Sequence, residues 1–289
     1  MSTLDINIPV AARPKASTRR LPLLGFTGWL AVAVLALVFL IALLGPTLVT
    51  ADPNEVNLGD AYAAPGAGHP LGQDANGRDL LARLVHGSRT ALVGPLLVVI
   101  ASAVLGTTIA LTAVWFGGWF DTMVARVVDA LFAFPGLLLA ILAAALFGAG
   151  LTAAVAALTI AYTPYIARIV RSAALRERNL PYVAALRIQG VSGLRICGRH
   201  ILPNVFTLII ANSALAFGFA LIDLAGLSFL GLGVQPPTAD WGVMVAEGVP
   251  GILLNYPQTA IYPSALIVIT VGAANLLGER LTRAAQEKS

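Results

Sequence analysis

Few side chains in this sequence are placed to do covalent chemistry. The histidines, His69, His86 and His200, lie far apart, and the one cysteine is Cys197. A metal site needs His, Cys or carboxylate ligands at short, convergent spacing, so no metal ion is expected on this chain. One cysteine closes no disulfide within the chain and reads as a small packing residue. There is no H-E-x-x-H, and no paired acids or Ser/His/Asp set falls near one membrane depth, so no catalytic residue is expected. No G-x-x-x-x-G-K-[ST] loop occurs either, so ATP is not held here by a P-loop. Two acids do stand out in apolar surroundings. Asp129 lies three residues after Arg126, close enough on one helix face to pair with it. Asp223 is the one acid deep in a late apolar run, and an intramembrane carboxylate is a pathway candidate by default.

The elements that carry these residues are membrane spans. The 289 residues are 58% hydrophobic and 11% charged, values outside the soluble range. Residues 1–20 are a polar tail. Residues 21–51 then hold no charge, and the run is longer than a signal-peptide core of ~7–15 residues. It is expected to be a retained first membrane helix, 21–45, followed by an extracytoplasmic segment, 46–89. Further apolar runs at Thr90–Phe116, Val127–Gly148, Leu151–Val170, Val205–Leu230 and Tyr262–Leu277 make six spans, with a five-helix core over 90–283 and a short tail, 284–289. The fold class is all-α, a polytopic membrane protein of six transmembrane helices. Pro95, Pro135 and Pro164 fall inside spans and are expected to kink them. Gly148 and Gly150 permit a tight turn between the third and fourth spans.

Orientation follows from arginine and lysine. Arg78, Arg83 and Arg89 are the only cations assigned outside. Arg13, Lys15, Arg19, Arg20, Arg126, Arg280, Arg283, Lys288 and the seven arginines of Arg168–Asn204 fall inside. This asymmetry places both termini in the cytoplasm. The net charge of +4 therefore reflects topology, and no aromatic-interleaved basic surface points to nucleic acid.

Arg168–Asn204 is the basic stretch between two spans, and Glu177 is its only carboxylate. Leu180-Pro181 is expected to start a short helix, since proline suits a first turn. Val183, Leu186, Arg187 and Gly190 recur at helical spacing, Gly190 permits a positive φ, and Ser192 is expected to cap a second short helix, Gly193–Ile201. The expected product is an L-shaped knob fitted to a groove on a partner. The competing reading is an ordinary basic cytoplasmic loop.

The stretch resembles the coupling loop of ABC-importer permeases, in which a Glu-Ala-Ala and a Gly precede Ile-x-Leu-Pro by fixed spacings. Here Gly190 is followed by nine residues and then His200-Ile201-Leu202-Pro203. YVAALRIQGVS and RHILPN are similar to the dipeptide/oligopeptide/nickel branch, as are HPLGQDANGRDLLARLVHGSR over 69–89 and GGWFD with AFPGLLLAI over 117–141. The motif's Glu falls on Ala184, ahead of Ala185 and Leu186, so the carboxylate is missing. Another departure lies before LSFLGLG: the family's Glu position is Leu224, and Asp223 is one residue earlier, ~100° around the helix.

The resemblance implies a type I ABC-importer permease fold, similar to the second (C-type) permease of dipeptide importers. It implies import of dipeptides or oligopeptides across a bacterial inner (plasma) membrane. A paired permease, two ATPase subunits holding ATP and Mg, and an extracytoplasmic substrate-binding protein would be partners, and this chain would hold no cofactor. The coupling loop would be 171–203. Contact with the ATPase would run through 182–195 by Val183, Ala184, Ala185, Leu186, Arg187, Gly190, Val191 and Ser192. Asp223, Leu227, Phe229 and Leu230 are the candidates for pathway or gate. Pro236-Pro237 is expected to stop the fifth span just beyond them. The other transport reading is a channel or secondary transporter for small solutes, which would show broken helices around midplane ion sites.

Overall fold

The computed structural model describes residues 25–286, and the polar tail at 1–20 lies outside them. The described residues form ten α-helices: α1 Gly25–Leu48, α2 Leu80–Phe116, α3 Gly118–Phe132, α4 Gly136–Phe147, α5 Leu151–Arg178, α6 Pro181–Ile188, α7 Gly193–Ile196, α8 Leu202–Phe229, α9 Trp241–Leu253 and α10 Gln258–Gln286. Five helical runs are long and apolar enough to cross a membrane. A sixth crossing exists if α3 and α4 count as one, bent by 81° between them.

α2 lies along α5 and α8, α10 lies along α8 and α9, and α1 leans on α2 and α10. The main core gathers Leu84, Leu92, Val98, Leu158, Leu221 and Leu227 from α2, α5 and α8. A second core, at the arginine-rich end, joins Val114 and Val170 to Val183, Ile196 and Ile201. Large apolar side chains elsewhere face outward along every long helix, as a lipid solvent allows.

Three helix boundaries differ from the sequence reading. α2 begins ten residues before its apolar run. Asp79 caps it, accepting from the Ala82 N–H at 2.6 Å, and the polar first turns are tolerated because Arg83 finds partners, as described below. The third span is not a kinked rod. Ala133-Phe134-Pro135 breaks it, since proline disfavours helical backbone in the residue before it and cannot donate to the ladder. The fifth span ends at Phe229, before the prolines. Gly231, at φ +73, turns the chain, and the Leu232 N–H reaches back to Leu227 O at 2.8 Å. That is a Schellman stop. The segment beyond also forms a helix of its own, α9.

Candidate coupling surface and pathway residues

At the arginine-rich end the chain leaves α5 at Arg178, makes α6, turns, and enters α7. The turn is at Gly190, φ +76. Val191 N–H donates to Leu186 O at 3.1 Å and Gly190 N–H to Arg187 O at 3.0 Å, so α6 also ends in a Schellman turn that a Cβ-bearing residue would strain. Ser192 occupies the N-cap position of α7, but its side chain makes no capping bond. α7 is not a separate helix either. A π-helical turn, Cys197–Ile201, joins it to α8, giving a 37-residue run, Gly193–Phe229. Pro203 therefore does not break the helix. It lies in the first turn of α8, where the Leu202 N–H has shifted to Cys197 O, and the widened turn accommodates the ring.

Glu177 fastens this segment. Its carboxylate accepts from the Tyr182 phenol at 2.7 Å and from Asn204 Nδ2 at 2.5 Å, tying the end of α5 to α6 and α8. Burial, then the bond to Glu177, pushes the Tyr182 phenol up to about 12. Arg178 donates to Val114 O, and the Arg187 guanidinium lies 4.9 Å from the Trp115 ring centroid. Trp115 also fills the space where a Cβ on Gly193 would stand. Each anchor joins the segment to the end of α2 or to its neighbours in sequence.

The expected coupling residues divide into two sets. Val183 is wholly buried in the second core, and Leu186 and Val191 pack against it. These root the segment in its own chain, so Val183 cannot offer an apolar edge to a partner. Ala184, Ala185, Arg187, Gly190 and Ser192 are exposed. Two residues that the sequence reading missed are the most prominent: Ile188 and Leu194 are each 88% exposed, on either side of the turn. Their signal was present, as aliphatic residues in a basic polar segment that fall outside the Val183/Leu186 stripe.

The pathway candidates also divide. Leu227 is buried in the main core, whereas Phe229 and Leu230 are exposed at the end of α8. Asp223 Oδ2 accepts from the Tyr162 phenol of α5 at 2.9 Å. Asp129 does not pair with Arg126. Arg168 of α5 takes it at 2.6 Å, and Arg171 grips Asp121 with two bonds of 2.6 Å. α3 is thus held to α5 by charge, a pairing that i,i+3 arithmetic does not see.

The opposite end holds a further constellation. Arg78 binds Asp74 Oδ2 at 2.7 Å, and both Arg78 and Arg83 reach Glu247 Oε2 at 2.8 Å. Arg83 is 0% exposed and also donates to Pro53 O at 3.2 Å. Trp241 Nε1 donates to Leu84 O at 3.0 Å, and Tyr62 stacks on Tyr256. Residues 50–79 are in this way clamped over α2, α9 and the connection that follows α9.

A bundle of membrane-length helices, with a rooted helix–turn–helix presenting bare aliphatic side chains at one end, defines a multi-pass membrane protein. Comparison with known proteins makes this specific. The chain belongs to the family described as binding-protein-dependent transport system inner membrane component, which matches residues 102–288. It is 40% identical over 224 residues to the glutathione transport system permease protein GsiD of Pectobacterium atrosepticum, covering 78% of this chain and 74% of that protein. It is 35% identical over 249 residues to the dipeptide transport system permease protein DppC of Alkalihalophilus pseudofirmus, covering 86% and 82%. Its fold is similar to a chain in an inward-facing structure of the MetNI methionine ABC transporter, with a TM-score of 0.57 at 20% identity, covering 70% of this chain and 96% of that one.

Proposed function

We propose that this permease subunit serves an ATP-driven importer of dipeptides or oligopeptides. A paired permease forms the pathway with it, a binding protein delivers substrate from outside, and two ATPase subunits bind ATP and Mg and supply the energy. The chain itself does no covalent chemistry. The relatives' names supply the substrate class. The observation that carries the coupling role is the pair Ile188 and Leu194, bare on a segment whose every other large apolar side chain is partly or wholly buried except Leu180. Aliphatic side chains held that far out, beside arginines and on a pinned turn, suit a hydrophobic socket with an acidic rim. In this reading residues 182–195 contact the ATPase, with the docking surface at Ile188 and Leu194 rather than Val183.

The arginine-rich end and both termini then face the cytoplasm, and residues 50–89 face outward. Asp223, Phe229 and Leu230 border the pathway between the two permeases, and Leu227 is withdrawn from that set.

The test is Gly190→Val in the complete complex in proteoliposomes. A β-branched residue at φ +76 strains the turn and displaces Ile188 relative to Leu194. Labelled-dipeptide uptake and its ATP dependence should fall at least ~10-fold, which corresponds to about 1.4 kcal/mol of lost coupling, while membrane insertion is unchanged. Normal uptake with normal ATPase stimulation would sink the docking role. Uptake by the wild-type complex that ignores ATP would favour a channel or secondary transporter instead.

A further inference from the structure

Among the described residues, Asp223 is the only formally charged side chain lining an open-sided cavity of about 460 Å³ between α5, α8 and the bend of the third span. That volume lies within the range of small-molecule sites. Phe132 and Phe134 flank the break between α3 and α4, and Tyr162, Tyr165 and Phe219 supply further aromatic lining. Both phenols are already engaged. Tyr162 donates to Asp223 Oδ2 at 2.9 Å, and Tyr165 donates to Asn212 Oδ1 at 3.1 Å. The carboxylate thus has one oxygen satisfied. Its Oδ1 accepts no hydrogen bond, and no arginine or lysine pairs with Asp223, among the described residues. Arg168, whose guanidinium lies 4.3 Å from the Phe132 ring centroid, is paired with Asp129.

A carboxylate at membrane depth with one hydrogen bond is poorly compensated, and such groups are held where a cation or water meets them. Aromatic rings around it add attraction for the same charge, because ring faces carry negative potential. One anion, one free oxygen and several rings form a receptor for an organic cation of the ammonium class. A metal ion would find too few oxygen ligands here, and an anion would be repelled.

We propose that this cavity binds the free α-ammonium group of a peptide during passage, with Asp223 Oδ1 accepting from the N–H donors and the rings of Phe132, Phe134 and Phe219 covering its flanks. Tyr162 is a positioning residue that fixes the carboxylate through Oδ2. The proposal rests on the importer reading and adds to it a substrate feature: the permease itself reads the amino terminus.

The test uses the complete permease–ATPase complex in nanodiscs, without its binding protein, so that selection upstream does not contribute. The probe is a benzoylphenylalanine-containing tripeptide, with a free or an acetylated amino terminus, photolysed and mapped by mass spectrometry. Adducts are expected at Phe132–Gly136 and Phe219–Asp223, with at least ~10-fold higher yield for the free amine. Asp223→Asn should abolish that preference, and Asp223→Glu should keep part of it. Phe134→Ala should lower the free-amine yield several-fold while retaining some preference. Equal yields for the two peptides, or an undiminished preference in Asp223→Asn, would overturn the proposal. Loss of the paired permease from Asp223→Asn, but not from Phe134→Ala, would overturn it by assigning the carboxylate to a cation on that subunit. ATP-driven peptide uptake by the wild-type complex with its binding protein is measured in parallel. Its absence would strike the importer reading, whereas uptake without amine preference at the cavity would strike only this proposal.

Discussion

At the end of the bundle that carries residues 50–89, charge is buried; at the arginine-rich end, apolar surface is bare. Arg83 is fully enclosed and shares Glu247 with Arg78, so the buried charges of that end find their partners within one chain. Ile188 and Leu194 stand free on a segment rooted by Val183 and Ile196, and no other side chain of the described residues covers them. The difference is between buried charge paired within the chain and aliphatic side chains held out on a pinned turn. Stability should therefore be concentrated at the first end and transport coupling at the second, and substitutions at the two ends should separate these readouts.

The largest loss of stability is expected from Arg83→Ala. Removing one member of a buried ion pair leaves its partner uncompensated, typically about 3–5 kcal/mol. The thermal midpoint of the purified chain in nanodiscs should fall accordingly. A double variant, Arg83→Leu with Glu247→Leu, should lose less than the two single effects added together, because neither leaves a stranded charge against the other. If Arg83→Ala shifts stability by less than about 1 kcal/mol, the buried ion pairs do not hold that end together.

A smaller and pH-dependent effect is expected at Asp240. It is 4% exposed and caps α9, its Oδ1 accepting from Gly242 N–H at 2.9 Å and Val243 N–H at 3.3 Å. Burial raises its carboxyl from 3.8 to about 6 despite those bonds. A raised acid is favoured in its protonated form by the fold. Its contribution is therefore fully present below about pH 4, is lost as pH rises to about 6, and amounts to on the order of 3 kcal/mol at most. Asp240→Asn keeps a capping oxygen without the charge. Its stability relative to wild type should improve between pH 4 and pH 6 and then level off. Parallel melting curves at all pH values would contradict the shift.

The smallest stability effect is expected where the coupling effect is large. Ile188→Ser with Leu194→Ser should stay within about 0.5 kcal/mol of wild type in thermal melts of the isolated chain, since exposed positions without partners contribute little. Substrate-stimulated ATPase activity of the assembled complex should drop sharply. A substantial melting shift in the isolated chain would mean that these side chains pack after all.

Local signals with short reach were legible in the sequence. Gly148 and Gly150 marked a hairpin, and Gly190 marked the turn between α6 and α7. What escaped the sequence were pairings across long separations. Arg83 and Glu247 are 164 residues apart, and Asp129 meets Arg168 rather than Arg126. An i,i+3 rule finds a plausible partner, but here a neighbouring helix supplies a nearer one. Val183 was misread for a related reason. Periodicity shows which residues share a face, and only the packed bundle shows whether that face turns toward the chain's own core or away from it. The Asp223 cavity was half legible: the acid was evident, but its aromatic surround comes from a bend and from helices that sequence alone does not bring together.

The join between α7 and α8 has a mechanical corollary. Thirty-seven residues run from Gly193 to Phe229 without a stop, about 55 Å of rod at 1.5 Å per residue. Its foot is clasped by the Trp115 indole, and its tip carries Phe229. A rod of that length magnifies angle into distance: a tilt of only 5° about the foot carries the tip about 5 Å, roughly the width of a side chain. Nothing need unfold or be relayed residue by residue for an event at Leu194 to be felt at Phe229.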